Sequence, residues 1–110
     1  MMETLTQEKV KEILKELKGK IKEAIKDKFV ALILYGSYAR GDYEFGSDID
    51  VLLVVRENLT SFEKDRISNI SSDLNLKYDI VITCFYYLYE VFKTWETPLL
   101  MNVRREGIEV

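Results

Sequence analysis

Residues 29–55 read FVALILYGSYARGDYEFGSDIDVLLVV. The first apolar run, residues 29–35, stops at Gly36, which is the pattern of a buried strand followed by a sharp turn. The second run, residues 48–55, opens with two aspartates and reads as a second strand. Between the runs, Ser37 to Asp42 is expected to form a short helix with Ser37 as its N-cap. In a strand, residues i and i+2 point to one face. Asp48 and Asp50 therefore project together, with Ile49 and Val51 turned to the other side. Two ionised carboxylates this close repel and raise each other's pKa. Ser47-Asp48 alone would be ordinary turn chemistry. Asp50, inside an apolar run, is not explained that way, because carboxylates are rarely buried unpaired.

A divalent cation relieves the repulsion. Mg²⁺ takes hard oxygen ligands, typically one or two carboxylates, and fills its other positions with water and substrate phosphates. Gly36-Ser37 supplies a complementary anion site. Glycine lets the backbone approach a ligand closely, and the first N–H groups of a helix attract phosphate. Arg40, one turn on, either covers a phosphate oxygen or pairs with Asp42 or Glu44. Asp79 opens a further apolar segment, YDIVIT, read as a strand over residues 78–83. If that strand lies beside 48–55, Asp79 joins the pair, unless Lys77 simply neutralises it. Three carboxylates can hold two ions roughly 3.5–4 Å apart, the spacing of a two-metal phosphoryl-transfer site.

The rest of the chain supports an α/β (α+β) fold, a mixed sheet with helices packed on it, as one domain over residues 1–110. Val10, Ile13, Leu14, Leu17, Ile21, Ala24 and Ile25 recur at helical spacing within residues 5–28, with Thr4 and Gln7 as a possible capping box. That segment carries eight lysines against five acids between Glu8 and Lys28, the composition of a solvated helix face. Thr60 with Glu63 predicts a capped helix to about residue 75. Residues 84–95, CFYYLYEVFKTW, read as helix, so Tyr86, Tyr87 and Tyr89 are expected in packing rather than as a platform for bases. Thr97-Pro98 opens a last helix ending near Arg105, with Gly107 expected in the left-handed position that closes it. Residues 108–110 are expected to add an edge strand.

Composition narrows the chemistry. The 110 residues contain no histidine and one cysteine, Cys84. That excludes a histidine base, His-based zinc sites, Ser-His or Cys-His nucleophile pairs and an internal disulfide. Any chemistry runs on carboxylates, hydroxyls, Lys and Arg. A net charge of -3 and a pI near 5.1 argue against a nucleic-acid partner held by charge. The sequence shows neither an apolar signal segment nor a membrane-spanning run, so a cytoplasmic location is expected and no membrane.

A Gly-Ser pair, ten residues, then Asp-x-Asp resembles the signature of the DNA polymerase β-like nucleotidyltransferase superfamily. The stretch LYGSYARGDYEFGSDIDVLLVV is similar to that of the minimal nucleotidyltransferases, or MNT proteins. Gly36, Ser37, Ala39, Arg40, Gly41, Ser47, Asp48 and Asp50 all fall in register with the family pattern. The closing REGIEV also resembles the ending of these small domains. The resemblance is specific over residues 34–55. It implies transfer of AMP from ATP to a hydroxyl, with two Mg²⁺ ions held by Asp48, Asp50 and Asp79. Gly36, Ser37 and Arg40 would bind the triphosphate, and Asp79 would help deprotonate the acceptor. It also implies a partner: many MNT proteins act as antitoxins of HEPN-domain ribonuclease toxins, modifying a toxin tyrosine, so a hetero-oligomer with the toxin is expected. Larger relatives carry a second domain that holds the acceptor. Here only about 27 residues follow residue 83, which favours a protein acceptor. Two alternatives stand beside this: an antitoxin that acts by binding alone, and a transferase subunit acting on a small molecule.

Overall fold

The computed structural model describes residues 6–44 and 46–110. It begins with helix α1 (Gln7–Ile25) and a 3₁₀ turn (Lys26–Lys28), then strand β1 (Phe29–Tyr35), a four-residue helix α2 (Ser37–Arg40) and strand β2 (Ile49–Val55). Helix α3 (Ser61–Tyr78) leads to strand β3 (Ile82–Leu88), short helix α4 (Tyr89–Thr94), helix α5 (Pro98–Glu106) and edge strand β4 (Ile108–Glu109). The sheet order is β3-β2-β1-β4. β1 runs antiparallel to β2 and to β4, and β2 runs parallel to β3. The sheet is mixed with helices packed on it, as the sequence implies, and the helices cover both of its faces.

The two faces carry separate clusters. Ile49, Val51, Leu53 and Val55 of β2 pack with all seven apolar residues named for α1 and with Ile67 and Leu74 of α3. The alternate residues Leu52 and Val54 pack with Ile33 and with Leu100 and Val103 of α5. β2 is thus buried on both faces, which is why its sequence is apolar without alternation. Asp50 points to the α5 face by the same parity. Among the described residues no helix is long and apolar enough to cross a membrane.

Several element limits differ from expectation. The N-cap of α1 is Thr6, whose hydroxyl accepts the Lys9 N–H at 3.1 Å; Thr4 lies outside the described residues. α3, with its Thr60–Glu63 capping box intact, continues to Tyr78 instead of stopping near residue 75. The third strand then begins at Ile82 and takes up Cys84–Leu88, which read as helix. The aromatic run favours a strand because its residues alternate between two half-buried faces: Cys84, Tyr86 and Leu88 pack on one cluster and Tyr87 on the other. Seven consecutive pairings to β2, from Ile49–Ile82 to Val55–Leu88, hold it there.

Gly107 follows α5 as expected, but its backbone is extended (φ -66°, ψ 147°) rather than left-handed. Its requirement is space: a Cβ there would overlap the Val103 carbonyl oxygen and lie 2.6 Å from Ile33 Cγ2. This close approach seats the end of α5 on β1 and turns the chain into β4.

Candidate active site

β1 delivers the chain to Gly36 and β2 starts beside it, because the antiparallel register pairs Tyr35 with Asp50. Gly36 has φ 78° and ψ -155°, a region essentially reserved for glycine. It is also the N-cap of α2, with Ser37 as the first helical residue rather than the cap. The Gly36 carbonyl accepts the N–H groups of Ala39 and Arg40, both at 3.1 Å. The absence of a side chain is used directly: a Cβ on Gly36 would lie 2.5 Å from Asp50 Oδ2. The Asp50 carboxylate therefore rests against the backbone at the start of α2.

The loop between α2 and β2 is built to present Asp48. Tyr38, buried against α1, stacks on Tyr43 with ring centroids 4.4 Å apart, which anchors the start of the loop. Farther on, the Ser47 N–H donates to the Glu44 carbonyl at 3.0 Å and the Ser47 hydroxyl accepts the Glu44 N–H at 2.9 Å. Asp48 follows at once, exposed, and the Ile49 N–H donates to the Val81 carbonyl at 2.9 Å to start the sheet.

Electrostatics mark Asp50. Burial pushes its carboxyl above the ordinary value of 3.8, Asp48 pushes it further, and Arg40 pulls it back. The neighbouring Tyr35 phenol is pushed up to about 12 by burial and then by Asp50. An unrelieved pair of like charges, one of them half-buried, destabilises the fold. A folded-state pKa above the unfolded one means that the folded chain holds the extra proton between the two values. Stability is then fully present below the ordinary value and falls as pH rises through the folded value. Asp50→Asn is accordingly expected to raise the Tm of the ligand-free protein at neutral pH by roughly a few degrees. The difference from wild type should shrink to nothing as pH falls below the carboxylate range. Thermal melts across that range check it; a variant less stable than wild type at neutral pH would contradict the assigned repulsion.

The structure brings together Gly36, Ser37, Asp48 and Asp50, with Arg40 one turn behind. It does not bring in Asp79. That residue caps the C-terminus of α3 in the left-handed conformation (φ 53°), exposed, and its N–H bonds the Asn75 carbonyl. Among the described residues no group of three His, Cys, Asp or Glu side chains is placed to hold a metal ion. The reason is the later start of β3: the parallel register sets Thr83, not Asp79, beside Asp50. Arg40 is engaged by Asp42 at 3.1 Å and also by Glu106 at 3.1 Å. Glu106 was not legible as a site residue, since only the packing of α5 on β1 carries it there.

Two acidic side chains of hard oxygen, Asp48 exposed and Asp50 partly desolvated, fit a divalent cation. A family model for the nucleotidyltransferase domain matches residues 8–102. The chain belongs to the nucleotidyltransferase domain family. A Methanocaldococcus jannaschii protein named "Putative protein adenylyltransferase MJ0141" is 46% identical to this nucleotidyltransferase over 99 residues, spanning 90% of this chain and 96% of that protein. A second from the same archaeon, MJ0604, bears the same description and is 37% identical over 99 residues, 89% of this chain and 90% of that one. Among solved structures, one described as a minimal nucleotidyltransferase superposes with a TM-score of 0.63 at 18% identity, covering 96% of this chain and 97% of that one. A chain from a toxin–antitoxin crystal structure with AMP-PNP gives 0.61 at 20% identity, covering 96% of this nucleotidyltransferase and 72% of its counterpart. At such identities the likeness speaks for the fold.

Proposed function

We propose that this nucleotidyltransferase transfers AMP from ATP to a tyrosine hydroxyl of a partner HEPN-domain ribonuclease toxin, and that it acts as the toxin's antitoxin. The observation that carries the reading is the seating of the Asp50 carboxylate against Gly36, with Asp48 two residues away. The names of the relatives support protein adenylylation. The partner is drawn from the folds that superpose: one belongs to an MNT antitoxin in complex with a tri-AMPylated Shewanella oneidensis HEPN toxin, at a TM-score of 0.53 and 17% identity over 94% of this chain and 66% of that one.

In this reading Asp48 and Asp50 would hold the Mg²⁺ ions together with the triphosphate. Bound there, the metal supplies charge stabilisation at the α-phosphate and the departing pyrophosphate. Gly36 lets the Asp50 carboxylate lie against the backbone, and Ser37 would offer its N–H and hydroxyl to the polyphosphate at the start of α2. The acceptor oxygen forms a bond to the α-phosphorus as the α–β bridging bond breaks. Pyrophosphate leaves with the electron pair, and the hydroxyl proton passes to a carboxylate of the pair. A tyrosine hydroxyl has a pKa near 10, so this proton transfer is a real part of the barrier. Asp79 is left out of the catalytic set.

One observation favours the second reading, an antitoxin that acts by binding. Thr83 occupies the place beside Asp50 where a third carboxylate would complete a two-metal site. Labelled ATP separates the two. With Mg²⁺ and the toxin, label is expected on the toxin, lost when its acceptor tyrosine is changed to Phe, and absent from free small molecules and RNA. Toxin neutralised without label would establish binding instead.

A further inference from the structure

The guanidinium of Arg40 is occupied in a particular way. Its Nε donates to Asp42 Oδ2 and its Nη1 donates to Glu106 Oε1, each at 3.1 Å. A guanidinium recognises phosphate through two parallel N–H bonds along one edge, either Nε with Nη2 or Nη1 with Nη2. Asp42 takes the single Nε–H of the Nε–Nη2 edge, and Glu106 sits on Nη1, which shares the other edge with Nη2. The two carboxylates are not equivalent. Asp42 is two residues away in the chain and its side chain is 62% exposed, whereas Glu106 comes from the end of α5 and is 20% exposed. Solvent screens the first more than the second. Glu106 is also fixed in place, because the next residue, Gly107, is wedged between the Val103 carbonyl and Ile33. Together with Asp48 and Asp50, these groups leave this end of the sheet with an excess of negative charge.

We propose that Glu106 sets the affinity of the site for the nucleotide triphosphate: it holds the Nη1 end of Arg40, and an incoming phosphate oxygen must displace it to use that edge. This rests on the reading of Gly36, Ser37 and Arg40 as the triphosphate site. The consequence is a gain on mutation. Glu106→Gln keeps the size of the side chain and removes the charge that competes with phosphate. A merely structural role for the Arg40–Glu106 bridge would give the opposite, since losing it would loosen α5 and Arg40 together.

The test is titration of the protein with a non-hydrolysable ATP analogue and Mg²⁺. Glu106→Gln is expected to bind roughly two- to fivefold more tightly than wild type, the range of a single partly exposed ion pair. In an Arg40→Gln background the same change should bring no gain. Equal or weaker binding by Glu106→Gln overturns the proposal while leaving the site intact. A gain that persists without Arg40 also overturns it, since the effect would then be one of general charge. Absence of binding by the wild type and every variant overturns the reading of the site, and this proposal with it.

Discussion

With Asp48 and Asp50 both replaced by Asn, Mg²⁺-ATP is expected to leave the melting temperature unchanged, and AMP transfer is expected to fall by about a thousandfold or more. In the wild type, a ligand present at about 100 times its Kd and bound only by the folded state stabilises by about 2.7 kcal/mol. For a domain of this size that is a rise on the order of 10 °C. The increment should depend on the metal, since ATP alone would meet two unscreened carboxylates. Without ligand, the double variant should melt no lower than wild type, because the repulsion that raises the Asp50 pKa is gone. Stability and function thus move in opposite directions, which distinguishes loss of the site from loss of the fold. An equal Mg²⁺-ATP shift in both proteins would place the metal elsewhere.

Gly36→Ala is the second large effect. Two costs combine in it. The backbone at φ 78° and ψ -155° admits other residues only with strain of about 1–3 kcal/mol. The new Cβ would also meet Asp50 Oδ2 at 2.5 Å, so the carboxylate must move. A displacement of about 1 Å at a reacting centre can cost on the order of a hundredfold in rate. Gly41→Ala supplies the comparison. Gly41 is left-handed as well (φ 84°), but its nearest neighbour is the Gln7 side chain at 3.8 Å. It should lower the Tm and keep the Mg²⁺-ATP increment, whereas Gly36→Ala should lose both. Thermal melts with and without nucleotide, alongside transfer assays, check the pair. If the two alanine variants respond to nucleotide alike, the contact between Gly36 and Asp50 has no functional weight.

What the sequence made readable follows from where the decisive contacts lie. β1 and β2 are continuous apolar runs bounded by Gly36 and Asp48, so their limits fell within one residue. The seven inward residues of α1 were equally plain, because one helix face had to meet the sheet. The end of α3 was not plain. Asn75 accepts the Ile80 N–H with its carbonyl and the Ile82 N–H with its side chain, a local arrangement that lets the helix run on and delays the strand. Nothing in the spacing of residues 75–82 announces it. Residues 84–88 read as helix from their sequence, and only pairing with β2 makes them strand. This single shift separates Asp79 from Asp48 and Asp50. The site pair was legible because Gly36, Asp48 and Asp50 belong to one local motif. Glu106 was hidden because it reaches Arg40 across 66 residues, through the packing of α5 on β1.

Catalysis at Asp48 and Asp50 on a toxin, as proposed, has a stoichiometric signature that binding alone lacks. The most direct measurement is toxin activity after incubation with substoichiometric antitoxin, ATP and Mg²⁺, followed by separation of the two proteins. A catalyst need not be present mole for mole. The wild type is predicted to silence the toxin completely, with AMP remaining on a toxin tyrosine after separation, while the Asp48→Asn, Asp50→Asn variant silences no more than its molar share. Silencing by the wild type limited to its molar share, or full return of toxin activity once the antitoxin is removed, would contradict catalysis at this site.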